Sequence, residues 1–312
     1  MKYVRVLAHA SSANLGPGFD ALAVALEGFY DIVEARLEYG SSGVWIDRVE
    51  GPYAEGVSLS RNTATAAVSK LLELAGIGEA GVSLRIYKGI PPGRGLGSSG
   101  ASAVAAVVAT ARLLGVSLDL QILLEASGYG ESIVAGTPHY DNVAASLLGG
   151  LAVVATIGGR IEAASIPVDA WFVVAVPQIE VPEGKTGIMR KVLPSSVQLQ
   201  RATTNWQRLA LMITAMSRRD YRLAGKMMLG DEIVEPARAP YVPCYREVRM
   251  AALEAGAYGV AISGAGPSII ALVEDHTLGE FVAREMHRAY SECGIEALVK
   301  VTGTGGPAKQ LT

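Results

Sequence analysis

The stretch IPPGRGLGSSGASA, residues 90–103, indicates the fold class because a strand leads into it and a helix follows it. Ahead of it, Val82, Leu84 and Ile86 alternate with polar residues, a pattern typical of a strand. Behind it, an Ala- and Val-rich run predicts a helix that begins near Ser98. The loop therefore directs unpaired backbone N–H groups and the positive end of a helix dipole at one point, which predicts an anion site.

Two phosphate chemistries fit this loop. From Gly95 it reads as G-x-G-x-x-G, the pattern of dinucleotide-binding folds, and from Pro91 it is a proline-led cradle in which Ser98 or Ser99 ligates Mg²⁺. The dinucleotide interpretation needs an acidic residue at the end of a second strand about 20 residues further on, but Asp119 begins a predicted helix. A Walker A motif is excluded because no Lys follows the glycines. The alternative without a ligand is a tight turn with a serine cap.

The composition indicates a compact globular protein and gives no reason to expect a polyanionic partner such as nucleic acid. The 312 residues suit two domains, and half of them are hydrophobic. The formal charge of −3 argues against nucleic acid as a partner, and the longest apolar run, residues 101–116, is too short for a membrane span. Cys244 and Cys293 form no C-x-x-C pair, so we expect neither a zinc site nor a disulfide framework, and we expect a cytoplasmic protein.

The order of the predicted elements favours an α+β fold of two domains. Strands and helices do not alternate regularly as in a doubly wound parallel sheet. We place the domains at residues 1–160 and 161–312. The predicted strands cover residues 2–10, 30–39, 82–89, 170–177, the two halves of 258–275, and 296–303; the predicted helices cover 61–76, a run from Ser98, 119–135, 195–220 and 278–292.

Two polar loops in the first half are too elaborate for plain connections. SSANLGPGFDAL (11–22) sets Asn14 and Asp20 around a Gly-Pro-Gly turn. ESIVAGTPHYDNVAASLLGG (131–150) brings acid, base and amide groups together, namely Glu131, His139, Asp141 and Asn142. Taken singly, each has a structural alternative: a solvated Asp20, a structural His139, or an Asp-Asn helix cap.

Three loops in the second half add glycines and arginines. SGAGPSII (263–270) joins two predicted strands and suits a backbone that passes close to a ligand. Arg190 lies in PEGKTGIMRKVLP (182–194) and Arg238 in EPARAPYVP (235–243), both flanked by prolines. Two arginines are a natural clamp for a carboxylate or phosphate, although exposed arginines commonly serve only solubility.

Together these motifs resemble the GHMP kinase superfamily, and most specifically its homoserine kinases, over nearly the whole chain. The segments that carry the resemblance are SSANLGPGFD (11–20), PPGRGLGSSGASA (91–103), PHYDNVAASLLGG (138–150), KTGIMRKVLP (185–194), EPARAPYVP (235–243) and SGAGPS (263–268). The resemblance implies an N-terminal domain like domain 2 of ribosomal protein S5 and a ferredoxin-like C-terminal domain. It also implies that ATP and Mg²⁺ are used to phosphorylate the hydroxyl of L-homoserine in threonine biosynthesis.

The resemblance assigns roles to individual residues. The ATP phosphates would be wrapped by Pro91, Pro92, Gly93, Arg94, Gly95, Leu96, Gly97, Ser98, Ser99, Gly100 and Ala101. Ser99, with Ser98 as the alternative, and Glu131 would hold Mg²⁺. The substrate would be bound by Asn14 and Asp20 at its amino end and by Arg190 and Arg238 at its carboxylate, with His139 and Gly264 nearby. The catalytic residues would be Asp141, Asn142 and Thr186, with Asp141 in the position of the aspartate base of mevalonate kinases and galactokinases. The resemblance to homoserine kinases also leaves open a transfer without a committed base.

Three positions depart from the superfamily pattern. His9 stands where a proline is usual, Gly100 where an alanine is usual, and Ala145 where another proline is usual. Gly100 is also the residue that completes the dinucleotide-like pattern. The alternatives are a kinase for another small alcohol, such as shikimate or mevalonate, and a non-catalytic metabolite sensor. A homodimer is left open, and no membrane partner is expected.

Overall fold

A seven-stranded sheet organises the N-terminal half of the computed structural model, which describes residues 3–78, 80–116, 119–136, 138–182 and 184–312. Its strands are β1 (Tyr3–Asn14), β2 (Gly18–Leu37), β3 (Gly43–Glu50), β4 (Gly81–Lys88), β5 (Leu151–Ile157), β6 (Arg160–Ile166) and β11 (Lys309–Leu311). Five of them run in the order β11-β1-β2-β4-β3, while β5 pairs with the first part of β2 and with β6. All the pairings are antiparallel except β3 with β4.

Four helices cover one face of this sheet: α1 (Thr63–Leu74), α2 (Ser98–Leu114), α3 (Leu120–Ala135) and α4 (Tyr140–Leu148). The apolar run of residues 101–116 lies almost entirely in α2, which is buried on every side. One face of α2, with Ala101 and Val104, joins the core under the sheet, and another, with Ala103 and Val107, packs on α1 and α3. Small Ala and Val side chains allow this close packing. The expectation of a buried helix is therefore confirmed, and none of the described helices is long and apolar enough to span a membrane.

The C-terminal half is built on a second sheet of four antiparallel strands, in the order β10-β7-β9-β8. The strands are β7 (Trp171–Pro177), β8 (Gly259–Ile262), β9 (Ile269–Val273) and β10 (Ala297–Gly303). The helices are α5 (Lys185–Lys191), α6 (Leu199–Ser217), α7 (Tyr221–Met228), α8 (Val234–Arg238), α9 (Tyr245–Glu254) and α10 (His276–Glu292), with a 3-10 turn at Ala239–Tyr241. The α+β expectation is confirmed in both halves.

The sheets divide the chain a few residues later than the sequence suggested. The boundary expected between residues 160 and 161 falls in the β5–β6 hairpin, and the first sheet continues to Ile166. The chain also returns to the first sheet at its end, because Lys309–Leu311 pairs with β1. Strand β2 begins at Gly18, well before residue 30, because Leu22–Leu26 is buried on both faces and shows no alternation.

The two cysteines contradict the expectation that no disulfide would form. Cys244 precedes α9, Cys293 follows α10, and their sulfur atoms are bonded. Their Cα atoms lie 6.3 Å apart, within the usual range for a disulfide. Helices α9 and α10 pack against each other, so residues that are far apart in sequence meet at one end of the pair. The spacing of the two cysteines in the sequence does not indicate this packing.

Candidate active site

The glycine loop between β4 and α2 is held from two sides by backbone and serine contacts. The amide of Ser11 in β1 donates to the carbonyl of Leu96 at 3.1 Å. From the second domain, the Ser263 hydroxyl donates to the carbonyl of Gly95 at 2.8 Å. Both Gly95 and Gly97 have positive φ, and a Cβ on Gly95 would clash with the carbonyl of Ser263. The loop therefore lies where the two domains meet.

Beneath the loop lies a buried polar cluster that the sequence motifs did not reveal. Lys88, at the end of β4, forms an ion pair with Asp31 of β2. Its ammonium also donates to the hydroxyls of Ser98 at 2.7 Å and Ser102 at 2.8 Å. The other oxygen of Asp31 accepts the amides of Gly89 at 3.0 Å and of Ile90 at 3.1 Å. The cluster thus ties the first residues of the loop to the first turn of α2.

A signal for this cluster was present in the strand pattern. Lys88 continues the buried alternation of Val82, Leu84 and Ile86, and Asp31 lies opposite it in the register of β2 with β4. Two charged residues on the core face of neighbouring strands predict a buried ion pair.

The two serines at the start of α2 face different partners. Ser98 is buried, accepts from Lys88 and donates to the carbonyl of Ile90 at 3.1 Å. Ser99 instead donates to Oε1 of Glu131 at 3.1 Å. Successive residues of a helix point about 100° apart, so only one of them can face Glu131. Ser99 is the serine that meets the predicted metal ligand.

Glu131 and Asp141 are two carboxylates buried close to the loop, with 4% and 3% of their surface exposed. Burial, followed by the charge of Asp141, raises the pKa of Glu131 to about 8. Burial likewise raises the pKa of Asp141 to about 7, although the backbone amide of Asn142 stabilises its ionised form. The amide oxygen of Asn142 accepts the Ser11 hydroxyl at 2.9 Å, which ties α4 to β1 beside the loop.

Asp20 and Arg190 bind each other across the domain boundary. Both guanidinium nitrogens of Arg190 donate to Asp20, each at 2.9 Å. The backbone of Asp20 has a positive φ, and its amide donates to the Asn14 side chain at 3.3 Å. Arg190 also lies over the ring of Phe19, 5.3 Å from its centre. The pair is half-exposed, so small molecules can reach it.

Arg238 also lies over the ring of Phe19, 5.2 Å from its centre, and is almost fully buried. Its Nη1 donates to the carbonyl of Gly264 at 2.9 Å and its Nε to the carbonyl of Met189 at 3.2 Å. The Asn14 amide donates to the same Gly264 oxygen at 2.9 Å. Burial lowers the pKa of Arg238 to about 10, so the side chain keeps its positive charge at neutral pH.

A cavity of about 240 Å³ opens beside these residues and is lined by Asp20, His139 and Asp141. Its far wall is the β5–β6 hairpin, through Val154, Ala155, Thr156 and Ile161, none of which the sequence motifs indicated. His139 precedes α4, and its Nδ1 lies 3.9 Å from Glu131. Burial and the charge of Arg190 lower the pKa of His139, so the ring is neutral at pH 7.

Some of the remaining predicted residues are available to a ligand, and others are packed in the core beneath the site. Leu96 and Ala101 have their side chains in the core, so only their backbones are available to a ligand. Arg94 donates to the carbonyl of Pro177 at 2.8 Å. Thr186 is half-buried in the first turn of α5, four residues before Arg190 and therefore on the same helix face. Pro91 is buried, whereas Pro92 and Gly93 are exposed; Gly100 is buried near Asn142.

The sequence of the chain matches two protein-family models and a series of relatives. Residues 62–150 match the model of the GHMP kinases N terminal domain, and residues 212–292 match that of the GHMP kinases C terminal domain. The chain is 50% identical to the homoserine kinase of Aeropyrum pernix, with 93% of this chain and 92% of that protein covered. It is 45% identical to the homoserine kinase of Pyrobaculum aerophilum, with 94% of this chain and 96% of that protein covered.

Solved structures give the same assignment. The homoserine kinase from Cytophaga hutchinsonii superimposes with a TM-score of 0.91 at 32% identity, covering 100% of this chain and 98% of that one. The L. major mevalonate kinase, solved in complex with R-mevalonate, shares the fold with a TM-score of 0.71 at 16% identity, covering 98% and 95% of the two chains. This protein therefore belongs to the GHMP kinases and, among them, to the family of the homoserine kinases.

Proposed function

We propose that this kinase transfers the γ-phosphoryl group of ATP to the hydroxyl of L-homoserine and releases ADP and O-phospho-L-homoserine. The observation that carries the proposal is the pair of Asp20 and Arg190, because Asp20 lines the same cavity as Asp141. A carboxylate and a guanidinium side by side are complementary to a zwitterionic amino acid. In threonine biosynthesis this reaction activates the hydroxyl as a leaving group.

The zwitterion would replace one internal ion pair by two intermolecular ones. Its ammonium group would bind Asp20, and its carboxylate would bind Arg190 and the buried guanidinium of Arg238. Asn14 and the Gly264 carbonyl, which already bond to each other, would border the amino end. Mevalonate and shikimate carry a carboxylate but no amine, so they would leave Asp20 without a cation. This difference supports an amino acid as the acceptor.

The pair Ser99 and Glu131 fits a Mg²⁺ site. A hydroxyl and a carboxylate are oxygen ligands, which Mg²⁺ prefers, and their oxygens lie 3.1 Å apart. Burial disfavours the ionised form of Glu131, so a bound cation would relieve an electrostatic cost there. The ion would neutralise charge on the phosphate oxygens of ATP. Backbone amides of the loop and the first turn of α2 would bind the same phosphates.

Asp141 is suited to accept the proton of the substrate hydroxyl. A general base works best when its pKa is near the working pH, and burial brings the pKa of Asp141 to about 7. Asn142, fixed by Ser11, and Thr186 would help to hold the acceptor in line with the phosphate. Phosphoryl transfer depends mainly on alignment and charge neutralisation. These residues would supply the alignment, and the loop amides with the bound cation would neutralise the charge.

The test is a set of parallel reactions with purified protein, Mg²⁺-ATP and one alcohol at a time: L-homoserine, mevalonate, shikimate or galactose. ADP release should depend on L-homoserine, and ³¹P NMR should show a phosphomonoester in stoichiometric amount. Turnover with another alcohol alone would overturn the substrate assignment. Binding of ATP without turnover of any alcohol would favour a metabolite sensor instead. The location in the cytoplasm and the formation of a homodimer stay predictions.

A further inference from the structure

Lys185, the first residue of α5, is a charged residue near the loop to which neither the resemblance nor the proposed chemistry assigns a role. Its ammonium donates to the carbonyl of Gly266, in the second-domain loop that packs on the phosphate loop. Within the described residues, no carboxylate lies within ion-pair distance of it. Burial, followed by the positive charges of Arg238 and Arg94, lowers the pKa of Lys185 to about 7. Three cations therefore share this region.

Gly266 brings Lys185 next to the phosphate loop. A Cβ on Gly95 would lie 2.8 Å from the Gly266 oxygen and 3.0 Å from its nitrogen, so the two backbones are in contact. The next residues along the same loop reinforce this contact, because the amide of Ser268 donates to the carbonyl of Arg94 at 3.3 Å. One carbonyl thus separates the Lys185 ammonium from the glycines that would wrap the nucleotide.

The other end of α5 leads to the proposed acceptor. Arg190 is five residues after Lys185, about 7.5 Å along the helix axis, and it holds Asp20 at the cavity. Helix α5 therefore spans the space between the second-domain loop, which it contacts at Lys185, and the residues proposed to bind the amino acid, which it contacts at Arg190. An in-line transfer passes through this space, since the phosphoryl group moves from the nucleotide to the acceptor.

We propose that Lys185 is a catalytic residue that binds the transferred phosphoryl group of ATP. An ammonium group has three donors, so it can keep the Gly266 carbonyl and donate to a phosphate oxygen at the same time. A phosphate anion is also the stronger partner, because both charges then assist the hydrogen bond. The positive charges of Lys185, Arg238 and Arg94 repel one another, so a phosphate anion bound among them would relieve this repulsion.

The role rests on the proposed kinase reaction and leaves its balance unchanged. The γ-phosphorus leaves the bridging oxygen of ADP and bonds to the acceptor oxygen, while the hydroxyl proton passes to Asp141. Lys185 gains and loses no proton in this step. It donates hydrogen bonds to oxygens whose negative charge is spread in the transition state, which is where a fixed cation lowers the barrier.

Binding measurements test the proposal without any acceptor. In the presence of Mg²⁺, the dissociation constants of AMP-PNP, which keeps a γ-phosphate, and of ADP are measured by calorimetry. Lys185→Met should weaken AMP-PNP binding by about tenfold or more, the usual effect of losing a charged hydrogen bond, and ADP binding by less than about threefold. The matched control is Lys191→Met, an exposed lysine of the same helix, which should change neither constant. Lys185→Arg should restore part of the AMP-PNP affinity.

Turnover gives the second measurement. With the acceptor that wild-type protein phosphorylates, Lys185→Met should lower kcat by about a hundredfold or more and change the acceptor KM by less than about threefold. Because the binding arm uses no acceptor, a wrong assignment of homoserine would leave it intact. If Lys185→Met does not fold, Lys185→Gln takes its place, since an amide keeps the donor to Gly266 and removes the charge. Equal weakening of AMP-PNP and ADP, or no weakening of either, overturns the proposal.

Discussion

Asp20 and Arg190 are joined by two hydrogen bonds of 2.9 Å, although 170 residues separate them in the sequence. Asp20 would bind the ammonium group of a bound amino acid, and Arg190 would bind its carboxylate. The pair keeps both charges compensated while leaving them half-exposed. Substrate binding then exchanges one set of charged partners for another, which avoids leaving either charge alone in a partly buried site.

Arg190→Ala should raise the KM for homoserine by about 30-fold and leave the KM for ATP nearly unchanged. The reason is the loss of a charged, bidentate partner for the carboxylate, worth about 2 kcal/mol. Steady-state kinetics with each substrate varied in turn checks this. The exposed Arg201 of α6 provides an Arg→Ala control that should change neither KM. An equal rise of both KM values would contradict a role as substrate clamp.

The anion site and the fold class could be predicted from sequence because their causes are local. A strand, the glycines Gly93, Gly95 and Gly97, and a helix start follow one another within residues 82–103, and their order fixes where the amides point. The choice between Ser98 and Ser99 could not be predicted. It depends on the rotation of α2, which Gly97 sets by preceding the helix in a left-handed conformation.

Other parts of the site depend on contacts between distant segments. Asp20 and Arg190 meet only because the two sheets pack together, and Cys244 and Cys293 meet only because α9 and α10 pack side by side. Lys185 gave no signal beyond its place beside Thr186. The buried pair of Asp31 and Lys88 is different, since strand alternation alone would have placed both side chains in the core.

Ser99→Ala should raise the Mg²⁺ concentration needed for half-maximal activity by about tenfold, because one of the two proposed protein ligands is lost. Ser98→Ala should leave that concentration unchanged and lower the free energy of unfolding instead, by about 1 to 3 kcal/mol, since Lys88 loses a buried partner. Titration of activity with Mg²⁺ at saturating ATP, together with urea unfolding, separates the two effects. The reverse pattern would assign the metal to Ser98.

The pH dependence of kcat should report Asp141. A base must be ionised, and burial raises the pKa of this carboxyl to about 7, so kcat should fall as pH drops below 7. Asp141→Asn should lower kcat by at least about a hundredfold and remove this acid limb. The measurement is kcat from pH 5.5 to 9 at saturating ATP, homoserine and Mg²⁺. A variant with the wild-type rate and profile would show that the hydroxyl proton leaves by another route.

Asp31→Asn should lower the free energy of unfolding by about 3 kcal/mol, because it leaves the buried ammonium of Lys88 without its counter-charge. The matched control is Asp47→Asn, which breaks the half-exposed pair with Arg85 on the neighbouring strand and should change stability little. Urea unfolding curves measure both variants. If the Asp31→Asn molecules that remain folded also bind AMP-PNP more weakly than wild type, the Asp31–Lys88 cluster positions the phosphate loop in addition to stabilising the fold.

Removing the disulfide should destabilise the second domain without changing the chemistry. The bond joins residues 49 positions apart, and closing a loop of that length in the unfolded chain corresponds to about 4 kcal/mol. The double variant Cys244→Ser, Cys293→Ser should therefore unfold at lower urea concentration, with KM and kcat at low temperature close to wild type. Dithiothreitol should bring the wild-type curve to that of the variant and leave the variant unchanged. Two reactive thiols in the unfolded, unreduced protein would contradict the bond and return both cysteines to the free state expected from their spacing.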